Sequence, residues 1–74
     1  MDRLPLKRIN SADLDAVGYD DVLEVLDVRF KRSGRTCRFY NVGSIIYVGL
    51  INAVSKHAYF MRYVKNNYSH HYLD

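Results

Sequence analysis

A chain of 74 residues with a net charge of +3 is long enough for one small domain and excludes a second. Nearly half of it is hydrophobic and ten residues are aromatic, so a core is attainable without staples, although a chain this short buries only about 60% of its unfolded surface. Cys37 is the one cysteine, which excludes an intramolecular disulfide and fits a reducing compartment, so the expected location is cytoplasmic.

Met1 to Asn10 carries Arg3, Lys7 and Arg8 around the only proline, Pro5, and has no period of either kind. Residues 1–10 are therefore read as a flexible or loosely docked lead-in, and residues 11–74 as the single domain. The lead-in lacks the apolar stretch of a secretory signal. The most apolar run, Ile45 to Val54, is about half of a bilayer span and contains Asn52, so no membrane partner is expected.

Asn10, Ser11 and Asp13 are turn or cap formers, and Leu14 to Tyr19 follows as a short strand. Gly18 inside it predicts a bulge or a close backbone approach. Asp20-Asp21 punctuates. In Val22 to Lys31, Leu26, Val28 and Phe30 alternate with Asp27, Arg29 and Lys31, the period of a half-buried strand. Leu23 and Val25 are out of phase, so this strand is expected to bulge or begin late. Arg32-Ser33-Gly34-Arg35 predicts a hairpin turn with Gly34 at positive φ. Thr36 to Val42 is the return strand, with Cys37 and Phe39 on one face and Thr36, Arg38 and Tyr40 on the other.

Gly43-Ser44 ends the sheet, and Ser44 is the expected N-cap of a helix. Ile46, Tyr47, Leu50, Ile51 and Val54 form one helical stripe; Tyr59, Phe60, Tyr63 and Val64 form another, rotated by roughly 140°. One straight helix cannot aim both at the same sheet. A break is therefore expected near Ala53 to Lys56, with Ser55 capping a second helix. The alternative is one long helix whose apolar face is widened by Ala58 and Met61. Asn66-Asn67 ends the helical region, and the aromatic tail is expected to dock Tyr72 and Leu73 on the core.

Few constellations carry chemistry. Cys37 sits mid-strand beside large apolar residues, where a thiol is usually inert, and adjacent acids such as Asp20-Asp21 are usually solvated. His70 and His71, neighbours in an extended tail, point to opposite sides and cannot chelate one ion. No catalytic residue, metal site or cofactor is expected. The four glycines, at 18, 34, 43 and 49, form no phosphate loop.

The basic residues are more informative. Five of the eleven Lys and Arg residues, Arg29, Lys31, Arg32, Arg35 and Arg38, fall in or beside one hairpin. Arg29, Lys31 and Arg38 are expected on the sheet face opposite Phe30 and Phe39, joined by Tyr40. Such a surface tracks phosphates and stacks an unpaired base; the bland reading is a solvated outer face with Asp27 pairing locally. Lys56, Arg62 and Lys65 form a second cluster, read as a solvent-facing helix surface.

The order S-x-x-L-x-A-V-G-Y-D (Ser11 to Asp20), L-x-V-x-F (Leu26 to Phe30), Gly34 and an aromatic strand ending at Val42 then takes on a pattern. With Y-x-x-L-I-N-A-x-S-K-x-x-Y-F (Tyr47 to Phe60) and Tyr68, it resembles the KTSC domain. That short module occurs alone in bacteria and phages and at the C-terminus of some lysyl-tRNA synthetases. The resemblance runs from Ser11 to Tyr72, and A-x-S-K-x-x-Y-F is its most specific piece. Where the family tends to carry Tyr-x-Tyr, this chain has Cys37-Arg38-Phe39, so both phenolic hydroxyls are missing. The resemblance implies no catalytic activity; it implies RNA binding by association with the synthetases, in the same direction as the basic hairpin.

The expected fold is α+β, a three-stranded antiparallel sheet covered on one face by two short helices or one broken helix. The expected core is Leu14, Leu26, Val28, Phe30, Phe39, Leu50, Ile51, Phe60 and Val64. The expected function is a non-enzymatic RNA-binding module using Arg29, Lys31, Arg35, Arg38 and Tyr40. The alternative is a protein-interaction module, an adaptor or phage-encoded modulator of a host enzyme, using Tyr47, Tyr59, Tyr63 and the tail.

Overall fold

The computed structural model describes residues 3–74. Strands β1 (Lys7–Arg8), β2 (Leu14–Asp20), β3 (Val25–Phe30) and β4 (Thr36–Phe39) lead into helix α1 (Ser44–Asn52). Helix α2 (Lys56–Tyr59) then continues as a π-helical turn, Phe60–Val64, and β5 (His70–Tyr72) closes the chain. The sheet has five strands in the order β1-β2-β3-β4-β5, every neighbouring pair antiparallel. The architecture is α+β with two helices, as the sequence implies, but the sheet has five strands and not three. The two unforeseen strands are its edges. All five of their residues are exposed, and pairing through the backbone leaves no apolar alternation to read.

The central hairpins follow the sequence closely. Strand β3 begins late, at Val25, because Asp20 to Glu24 turns the chain: the Asp20 carboxylate accepts hydrogen bonds from the amides of Val22 and Leu23, and Glu24 has φ 55°. Gly34 supplies φ 71° at the next turn. Leu26 opposes Phe39 and Val28 opposes Cys37, which sets one apolar face beneath the helices. The register of β2 shifts between Leu14 and Ala16, so the bulge falls at Asp15. Gly18 is instead a site of close approach: a Cβ there would lie 2.6 Å from the Pro5 carbonyl oxygen.

The helical break occurs where the two stripes demand it. Ala53 ends α1, and the Ser55 hydroxyl accepts a hydrogen bond from the Ala58 amide at the start of α2. Ser44 is not an N-cap; Gly43 holds that position and Ser44 is the first helical residue. The Lys65 amide bonds to the Phe60 carbonyl, five residues back, which widens the turn and keeps Phe60 and Val64 in the core together. Asn67 closes the helical region by donating to the carbonyls of Arg62 and Tyr63.

The buried cluster joins Leu14, Val17, Leu26, Val28, Cys37 and Phe39 of the sheet to Val42, Leu50, Phe60 and Val64. The Phe60 ring meets Phe30 and Phe39 edge-on at 5.6 and 5.5 Å. Phe30 and Ile51, expected as core, are only half-buried at its margin. Among the described residues no helix is long and apolar enough to cross a membrane.

Candidate functional site

The residues that read as one basic face are separated by the fold. Arg38 is the clearest case. It lies opposite Asp27 on the adjacent strand, and its Nε and Nη2 each donate a 2.7 Å hydrogen bond to the Asp27 carboxylate. Both side chains are buried, 4% and 1% exposed. Sequence alternation places them on the face away from the helices, where water is the default expectation. Here that face is covered.

The cover is the N-terminal segment. Leu4, Pro5 and Leu6 lie directly over Gly18 of β2, the residue that pairs with Asp27. At the far side, Arg3 Nη2 donates to the Leu73 carbonyl at 3.2 Å, and Nη1 lies 3.9 Å from the Asp74 carboxylate. The hydrogen bond with Asp27 holds the Arg38 guanidinium above its ordinary pKa. Arg38 is thus not an open phosphate contact, because it is buried in its pair with Asp27.

Arg29 is half-buried and donates through Nε to Asp15 at 2.7 Å. The bulge makes this pair: the extra residue in β2 presents Asp15 beside β3. That hydrogen bond is the main reason the Asp15 carboxyl sits below its ordinary range. Lys31 is exposed and its Nζ donates to the Ser11 carbonyl. Arg35 is exposed too; its guanidinium carbon stands 3.9 Å above the Tyr72 ring centre, and Nη2 donates to the Asp74 carbonyl at 3.1 Å. Tyr40 stacks on His71 with ring centres 5.5 Å apart. Of the five expected residues, Lys31 and Arg35 remain at the surface as a pair of cations; Arg29 and Arg38 serve the frame.

A second grouping was hidden in the sequence because it comes from distant segments. Lys65 shares a cavity wall with Phe30 and Ser33, which brings the end of the π turn to the β3–β4 hairpin. Lys56 borders Asn10 to Ala12, and Ser11 receives Lys31. Lys31, Arg32, Arg35, Lys56 and Lys65 therefore gather at one end of the sheet. Of the carboxylates without a Lys or Arg partner among the described residues, Asp20, Asp21 and Glu24 occupy the β2–β3 turn at the other end, while Asp13, 3.5 Å from His57, stands at the basic end.

The tyrosines are spent largely on packing. Tyr47 stacks on Tyr19 at 4.6 Å, whose hydroxyl donates to the Val42 carbonyl. Tyr59 packs against Gly49, where any Cβ would collide with its ring and hydroxyl; burial raises its pKa. Only Tyr63 of the expected helix-face trio is exposed. Cys37 is 2% exposed and burial pushes its thiol up to about 11. No group of three metal-ligating side chains occurs among the described residues.

The KTSC domain family model matches residues 10–68. The chain belongs to the KTSC domain family. The crystal structure of a KTSC domain protein from Yersinia pestis is similar over 97% of this chain and 100% of that one, with a TM-score of 0.91 at 21% sequence identity. At that identity the likeness speaks for the fold. No curated protein matches. In this KTSC domain Cys37 and Phe39 both point into the core beneath the helices, so the Cys-Arg-Phe strand has an apolar inner face and a buried ionic outer one.

Proposed function

We propose that this protein is a small non-enzymatic RNA-binding module whose contact surface is the basic end of the sheet. Lys31, Arg32, Arg35 and Lys65 form the surface, with Lys56 beside them. A partial separation of charge supports this reading: Lys31, Arg32, Arg35 and Lys65 collect at the hairpin end and Asp20, Asp21 and Glu24 at the opposite end, while Lys7, Arg8 and Arg62 are exposed elsewhere. Such a dipolar surface raises the local concentration of a polyanion and orients it before contact. Burial pushes the Cys37 thiol up to about 11, so this thiol is no nucleophile at neutral pH. A lone buried thiol also suits a reducing cytoplasm.

Binding of this kind weakens steeply with salt. Four phosphate contacts on a single strand lower the affinity roughly 50-fold between 50 and 200 mM salt. Fluorescence anisotropy with labelled RNA at those two concentrations tests it, alongside an Arg32→Ala/Arg35→Ala variant that still melts cooperatively. Salt-sensitive binding that is lost in the variant is the expected result. No binding at micromolar protein in low salt would remove the RNA reading.

The second reading is a protein partner. Helix α1 is apolar on all sides, yet Ile45 and Val48 are exposed, as are Val22 and Leu23 in the β2–β3 turn. The Val42 amide is bonded to the Glu24 carbonyl, so that turn and the start of α1 are neighbours. This surface differs from the tyrosine face expected from sequence, and it is the one to mutate if RNA fails.

A further inference from the structure

We infer that the cavity at the basic end receives one unpaired base of a single-stranded RNA, an inference that rests on the RNA reading above. The cavity, about 200 Å³, opens between the π turn and the β3–β4–β5 half of the sheet. Phe30, Met61 and Tyr72 give it accessible apolar surface over the buried Phe39 and Phe60, and Asp13, Ser33, Lys65 and His70 bring polar atoms to it. A nucleobase has the same division: apolar faces and polar edges. The surroundings match a base still attached to its strand rather than a free apolar molecule. Lys65 borders the cavity, and Arg35 is stacked on Tyr72, another lining residue. Lys31 and Arg32 immediately precede Ser33 in the chain.

The π turn contributes to the opening. Its wider helical register turns Phe60 into the core while Met61 and Lys65 both reach the cavity. Insertions of this kind in helices often accompany binding sites. A duplex keeps its bases paired and stacked, so this slot selects single strands, as single-strand binders with aromatic pockets do.

The test compares a ten-nucleotide RNA with an abasic strand of the same length and charge, both labelled, on the unmodified protein. The base-bearing strand is expected to bind about 5- to 150-fold more tightly, the range of one base–aromatic contact. Ser33→Leu, which adds an aliphatic side chain to the cavity lining without a ring or a charge and is checked for cooperative melting, is expected to remove that advantage. Equal binding of the two strands overturns the inference and leaves the RNA reading standing. A base preference that survives in a folded Ser33→Leu protein overturns the assignment to this cavity. If neither strand binds, the RNA reading fails and the slot with it.

Discussion

Arg38→Ala is predicted to unfold the protein rather than weaken a surface contact. The Asp27 carboxylate is fully buried and receives two 2.7 Å hydrogen bonds from Arg38. Deleting the guanidinium leaves a buried charge without its counter-charge, a loss of about 3–5 kcal/mol. A domain of this length holds roughly 4–11 kcal/mol in all, so the variant should lie near its unfolding threshold at 25 °C. Replacing both partners, Asp27→Leu with Arg38→Met, removes charge and counter-charge together and is expected to be nearly neutral. Urea denaturation followed by far-ultraviolet circular dichroism measures the wild type, both single variants and the double. A cooperative Arg38→Ala protein within 1 kcal/mol of wild type would mean that water reaches Asp27, and the burial of that charge would be refuted. The result also bears on function: lost RNA binding in an Arg38 variant is uninformative until its stability is known, whereas Arg32 and Arg35 are exposed and can be changed safely.

Three further outcomes follow from the same geometry. Gly18→Ala sets a Cβ 2.6 Å from the Pro5 carbonyl oxygen and should cost about 1–3 kcal/mol. Hydrogen exchange should show the β2 amides around Gly18 losing protection, and unchanged exchange there would count against the close approach. Burial pushes Cys37 up to about 11 from 9.0, so at intermediate pH the unfolded chain releases a proton that the folded chain keeps. Stability is then full below pH 9 and falls by about 2–3 kcal/mol as pH rises toward 11; Cys37→Ala should lack this component in urea titrations at pH 8 and 10.5. Asp15 behaves oppositely: the Arg29 hydrogen bond lowers its pKa, so its contribution is present above its ordinary 3.8 and is lost as pH falls through the folded value. Asp15→Asn should flatten the acid limb of the stability profile, and an unchanged limb would show that the pair contributes nothing there.

The central part of the molecule was legible from residues alone. Alternation in Leu26 to Lys31 identifies β3 and its inner face, Gly34 marks the turn, and the mismatch between the Leu50 and Phe60 stripes requires the break that Ser55 caps. Each signal arises because neighbours in the chain are also neighbours in the element, so a period of two or 3.6 records which side meets the core. The KTSC resemblance, too, was carried by residues readable in order.

What only tertiary structure decided depends on segments far apart in sequence. Lys7–Arg8 and His70–Tyr72 join the sheet through backbone groups, which leave no imprint on side-chain pattern. Asp27 and Arg38 alternate as solvent-facing residues should, yet both are buried, and Gly18, the residue paired with Asp27, lies beneath Leu4 to Leu6. The same distance in sequence hid the meeting of Lys65 and Lys56 with the Lys31–Arg35 hairpin. Periodicity tells which face of a strand turns from the helices; whether that face meets water is determined by the chain that covers it.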